Sequence, residues 1–154
     1  MKRIILVLLV ITLSVLVTGC GKTKDNKVKK IDLQDNESII DSEVETVRVF
    51  INEIEYTLKL EDNETANSFI KLLPKELKMS ELNGNEKYIY LDSSLPTNHV
   101  NPKHISAGDV MLYGDNCLVI FYKSFDTSYS YTKIGHIDNL SDLGDDTITV
   151  KFMY

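Results

Sequence analysis

Aromatic side chains crowd one stretch of this sequence. FYKSFDTSYSYTK, residues 121–133, holds Phe121, Tyr122, Phe125, Tyr129 and Tyr131, and Tyr113 stands shortly before it. A tyrosine offers a large contact area with a polar tip, which suits a peptide or a small ligand. Packing is the competing reading, in which alternate aromatics of a strand fill a core and the others lie in loops. Three histidines, His99, His104 and His136, raise the question of a metal. No cysteine or carboxylate stands at ligand spacing beside His99 and His104, so surface or loop roles fit them better and no metal is expected. His99, in a proline-containing loop, is counted with Tyr113, Phe121, Phe125, Tyr129 and Tyr131 as a candidate ligand contact. The sequence has no glycine-rich phosphate loop and no Gly-x-Ser-x-Gly, so no cofactor is expected either.

The two cysteines, Cys20 and Cys117, point to different chemistry. Cys20 ends a run that starts with Lys2 and Arg3 and continues as Ile4 to Val17, apolar except for Thr12 and Ser14. As a helix this run spans roughly 21 Å at ~1.5 Å per residue, short for a bilayer core of about 30 Å. It suits the apolar core of a secretory signal peptide. The sequence Val17-Thr18-Gly19-Cys20 resembles the bacterial lipobox, in which the cysteine thiol receives a diacylglycerol and the peptidase cuts before it. The resemblance implies a signal peptide over residues 1–19, a lipid on Cys20, and a domain held at a cell membrane outside the cytoplasm. An uncleaved anchor with an incidental cysteine is the alternative, and it places the rest of the chain on the same side. Cys117 lies in the apolar run CLVIFY with no cationic neighbour, and reads as a buried, inert thiol.

Between Cys20 and residue 45 there is almost no aromatic or patterned apolar content. The segment begins basic (Lys22, Lys24, Lys27, Lys29, Lys30) and turns acidic (Asp32, Asp35, Glu37, Asp41, Glu43, Glu45). It reads as a disordered tether with a mean span of roughly 25–30 Å. Anionic headgroups would attract its lysines by up to about 1 kcal/mol each. The domain after it carries 10 basic and 16 acidic residues, and the whole chain is at −6. That balance argues against a nucleic-acid partner, which asks for a basic face.

From Thr46 the chain has folded-domain patterning. TVRVFI and IEYTLKL alternate apolar and polar positions around Asn52-Glu53, which predicts a β-hairpin. Asn63 is a candidate N-cap, and Ala66, Phe69, Ile70 and Leu73 follow at helical spacing until Pro74, which predicts a helix over 63–73. Period two returns in EKYIYL (86–91), DVMLY (109–113), CLVIFYK (117–123), YTKIGHI (131–137) and TITVKFMY (147–154). LSDL (140–143) is read as one helical turn, and residues 95–107, with Pro96 and Pro102, as the longest loop. Seven or eight strands with one helix predict a mainly β domain over 46–154, a closed barrel or a sandwich.

DNETANSFIKLLPKELKMSELNGNEKYIYL (62–91), AGDVMLYGDNCLVIFYK (107–123) and KIGHIDNLSDL (133–143) together resemble the bacterial cyclophilin-like domain family. The likeness covers roughly 46–154 and implies a closed barrel of about eight strands with one flanking α-helix. It implies no settled activity. True cyclophilins place apolar pocket residues in the part of the chain that holds 121–133, and spacing back from Gly135 puts Tyr131 near a pocket histidine of theirs. Their catalytic arginine comes in a Phe-His-Arg segment, which is absent here. Arg48, the sole arginine after the apolar run, lies in the first hairpin, out of order. The resemblance therefore implies a binding or interaction module for a peptide or small molecule, with an atypical peptidyl-prolyl isomerase as the alternative.

Overall fold

A computed structural model describes residues 44–154. The signal peptide expected over 1–19, Cys20 and the tether up to residue 43 lie outside the described residues. Among the described residues no helix is long and apolar enough to cross a membrane.

The elements in chain order are β1 (Thr46–Ile51), β2 (Ile54–Leu60), α1 (Glu64–Ile70), β3 (Lys75–Leu82), β4 (Glu86–Tyr90), β5 (His104–Ile105), β6 (Asp109–Tyr113), β7 (Cys117–Phe121), β8 (Phe125–Asp126), β9 (Thr132–Ile137) and β10 (Ile148–Met153). Eight strands close into an antiparallel barrel in the order β1-β10-β3-β4-β7-β6-β9-β2, and β5 pairs β8 as a separate two-stranded ribbon. Closure leaves no unpaired sheet edge in the barrel. The predicted mainly β barrel with one helix is the observed fold.

Local chemistry accounts for the first half. The β1–β2 turn places both Asn52 and Glu53 at positive φ (48° and 70°), as a two-residue hairpin turn requires. Asn63 caps α1: its Oδ1 accepts from the Ala66 amide at 2.8 Å, and its Nδ2 donates to the Lys133 carbonyl at 2.9 Å, which ties the cap to β9. Phe69 of α1 meets Phe152 of β10 edge to face, with centroids 5.1 Å apart. Val47, Val49, Leu58, Leu77, Met79, Val110, Leu112, Leu118, Ile120, Ile134, Val150 and Phe152, from seven of the eight barrel strands, fill the barrel interior.

Three local expectations are corrected, and one strand appears that none of them covered. The helix ends at Ile70 rather than residue 73, and Leu72 and Leu73 continue as turns bonded to Phe69 and Ile70. KELKMSEL forms β3, a strand the alternation of Leu77 and Met79 could have revealed. LSDL forms no helical turn; Leu140 and Leu143 instead pack, half-buried, against the core. The long loop of 95–107 is not structureless, since Val100 bridges Tyr131 and His104–Ile105 pairs with β8. In β9 a bulge opposite Val110 and Met111 lets Ile134 enter the core. A Cβ on Gly135 would collide with the Lys59 carbonyl, so only glycine allows β2 to approach there.

Candidate functional site

Strands β6 and β7 are buried on both faces. Their inward residues Val110, Leu112, Leu118 and Ile120 belong to the barrel core. Outward-pointing Met111, Cys117, Val119 and Phe121 form a second cluster with Ile105 and Tyr131 on the outside of the barrel wall. A continuous apolar run such as CLVIF is what double burial demands of a strand.

Register then assembles a site on that outer face. Pairing aligns Glu86 with Phe121, Tyr88 with Val119 and Met111, and Tyr90 with Cys117 and Tyr113 across β4, β7 and β6. Side chains in one row share a face, so the tyrosines of β4 rise beside the apolar floor of β7. Tyr131 is brought over the same face by its two backbone bonds to Val100, and Tyr129 precedes it. The result is a cavity of about 300 Å³ walled by Tyr88, Tyr90, Tyr113, Tyr129 and Tyr131, floored by Cys117 and Val119, with Leu82, Asn83 and Glu86 at one end.

The rings are mutually braced. Tyr113 meets Tyr129 at 6.1 Å and 90°, and Tyr131 at 5.6 Å and 52°. Tyr88 meets Tyr90 at 6.1 Å and 84°. Phe121 stands behind Tyr131, edge to face at 5.5 Å, and Phe125 backs Phe121 at 5.6 Å. Tyr90 and Tyr129 are more than half exposed while Tyr131 is buried, so the cavity opens to solvent over a closed base.

Electrostatically the cavity is negative. Burial holds the Glu86 carboxyl above its ordinary value; the Asn83 side-chain amide works against this, and the Glu81 charge adds to it. Burial and then the Glu86 charge also raise the Cys117 thiol and the Tyr131 phenol. No lysine or arginine among the described residues lines the cavity.

Of the candidates named from sequence, Tyr113, Tyr129 and Tyr131 line this cavity. Phe121, fully buried, and Phe125 lie behind its wall as support rather than on its surface. His99 lies off it, with Nδ1 3.5 Å from the Thr132 hydroxyl. Tyr88, Tyr90, Glu86 and Asn83 were not singled out, although the alternation in EKYIYL marked a strand that carried three of them on one face.

The histidines stay apart. His104 pairs with Asp126 at 2.7 Å and His136 with Asp109 at 3.0 Å. Among the described residues no three metal-ligating side chains come together. Arg48 lies half-exposed on β1, near Glu55 (3.9 Å) and the Tyr154 carbonyl (3.3 Å). In the barrel order β7 is four places from β1 in either direction, so this guanidinium is on the opposite wall from the cavity.

The family model described as "Cyclophilin-like family" matches residues 49–153, the greater part of the chain and nearly all of its barrel. No curated protein and no solved structure matches the chain. With the barrel order, the flanking helix and this match in agreement, the chain belongs to the cyclophilin-like family.

Proposed function

We propose that the barrel is a non-catalytic binding module for a small molecule or short peptide, carried outside the cytoplasm and held to a membrane by a lipid on Cys20. The observation that carries the binding reading is the tyrosine-walled cavity on the outer face of β4, β7 and β6. It combines an apolar floor with polar lining from the tyrosine hydroxyls, Asn83 and Glu86, a mixture that can both bury and orient a small ligand. The lipobox-like Val17-Thr18-Gly19-Cys20 and the polar segment after it support the anchored arrangement.

Rotation about an X–Pro bond must overcome a barrier of ~18–20 kcal/mol set by amide resonance. A planar donor to the prolyl nitrogen lowers it, and lysine replaces arginine poorly in such a role. Glu86, the carboxylate lining the cavity, accepts hydrogen bonds when charged and offers the twisting nitrogen none. Screening the full-length chain against proline peptides and small metabolites by thermal shift, beside a protease-coupled prolyl-isomerisation assay, tests the reading. At least one stabilising ligand and an uncatalysed isomerisation rate are expected. A rate above background would establish the isomerase alternative instead.

A further inference from the structure

The cavity's chemistry is specific as to charge. Five tyrosines approach one space from different directions, with interplanar angles of 84°, 90° and 52° among them. The face of an aromatic ring carries partial negative charge and attracts cations, most of all where water is excluded. The protein's own cations leave these rings free: the cation–π contacts among the described residues fall on Phe50 and Tyr122, outside the cavity. Glu86 stands at the end of the same cavity. No basic side chain among the described residues forms an ion pair with it. A carboxylate half-removed from water without a counter-ion is costly, and a bound cation would offset that cost. The acidic domain, with 10 basic and 16 acidic residues, adds a weak long-range attraction of the same sign.

We infer that the cavity takes a substituted ammonium ion, its alkyl groups packed against Tyr88, Tyr113 and Tyr131 and its charge directed to Glu86. This rests on the reading of the cavity as the binding site and names its ligand class. A quaternary ammonium suits the ring surfaces of the tyrosines, because its methyl groups pack there without needing hydrogen-bond partners.

Calorimetric titration of the full-length chain with tetramethylammonium, choline and the neutral choline isostere 3,3-dimethylbutan-1-ol, at matched ionic strength, tests this. Both cations should bind saturably, and the neutral isostere at least about tenfold more weakly. Glu86→Gln should weaken choline by about tenfold and leave the isostere unaffected. Soluble dihexanoylphosphatidylcholine forms a further arm. Tighter binding than choline identifies a lipid headgroup as the source of the ammonium, and weaker binding a free cation; either result supports the inference. Equal binding of choline and its isostere, or unchanged choline binding in Glu86→Gln, overturns the cation specificity while the binding reading stands. No binding by any of these probes also overturns the inference, and the proline-peptide and metabolite screen then decides the binding reading independently.

Discussion

Glu86 and Lys87 are consecutive residues of β4 and face opposite sides of the barrel wall. The Glu86 carboxylate stands in the outer tyrosine cavity. The fully buried Lys87 ammonium donates to the Gly144 carbonyl at 2.6 Å and the Asp146 carbonyl at 2.7 Å, and lies 5.2 Å from the Tyr122 ring. Strand alternation thus separates two opposite charges that are adjacent in sequence. One is held by carbonyls of the loop between β9 and β10, and the other is left to the cavity.

Removing the Glu86 charge should stabilise the fold. Its carboxyl titrates above 4.5 in the native state because burial disfavours the charged form. The protonated form is therefore the one that folding favours. The stability it contributes is present below pH 4.5 and is lost as pH rises through the elevated native value. Groups facing it are Glu81, Asn83, Cys117, Tyr88 and Tyr131, none of them basic. Glu86→Gln is expected to melt higher than the parent at pH 7, with the gap closing at pH 4. A gap of equal size at both values, followed by circular dichroism, would assign the effect to something other than charge.

Lys87 is expected to be a structural cation. Lys87→Ala leaves two loop carbonyls without their donor and opens a void beside Tyr122. The expected cost is about 2–4 kcal/mol in urea unfolding. Lys87→Met, which keeps the stem volume, should cost less. Equal costs would mean that the hydrogen bonds to Gly144 and Asp146 carry the whole effect.

Much of the fold was legible because its determinants are local. Asn52-Glu53, Asn63 and Pro74 each act within a few residues, so the first hairpin and the start of α1 could be read directly. β3 was hidden by composition: in KELKMSEL most side chains are charged or polar, and only Leu77 and Met79 mark its buried face. The cavity was half legible. Tyr113, Tyr129 and Tyr131 stand out as aromatics near one another in the chain. Tyr88 and Tyr90 join them only through the β4–β7 register, a pairing between segments some thirty residues apart. Nor could sequence tell Phe121 from Tyr131, one behind the wall and one on it, because β7 is apolar on both faces.

Phe121 therefore has a supporting role with two measurable consequences. Phe121→Ala removes the ring that braces Tyr131 at 5.5 Å and Phe125 at 5.6 Å. A loss of about 3–5 kcal/mol is expected for so buried an aromatic. Phe121→Leu should recover most of that stability and still loosen Tyr131, visible as a changed near-ultraviolet tyrosine signal. An unaltered signal would show that Tyr131 is held by its backbone bonds to Val100 alone.

Cys117 offers a chemical probe of the cavity floor. Burial and the nearby Glu86 charge both keep its thiol protonated. Alkylation of Cys117, followed by peptide mapping, should be much slower in the native chain than in urea. Glu86→Gln removes the electrostatic part and should speed alkylation modestly, and a ligand in the cavity should slow it. Native labelling as fast as unfolded labelling would mean that the floor is open.

The most direct test of the binding account uses the cavity's own tyrosines. The chain has eight tyrosines and no tryptophan, and five of those tyrosines wall the cavity. Intrinsic fluorescence of the full-length chain, titrated with choline, proline peptides and small metabolites, should change saturably with at least one of them. The change should be lost in Tyr113→Ala, whose side chain is about half exposed and can be removed with little cost to folding. A saturable response that survives undiminished in Tyr113→Ala, or no response to any of these ligands, would contradict the assignment of this cavity as the binding site.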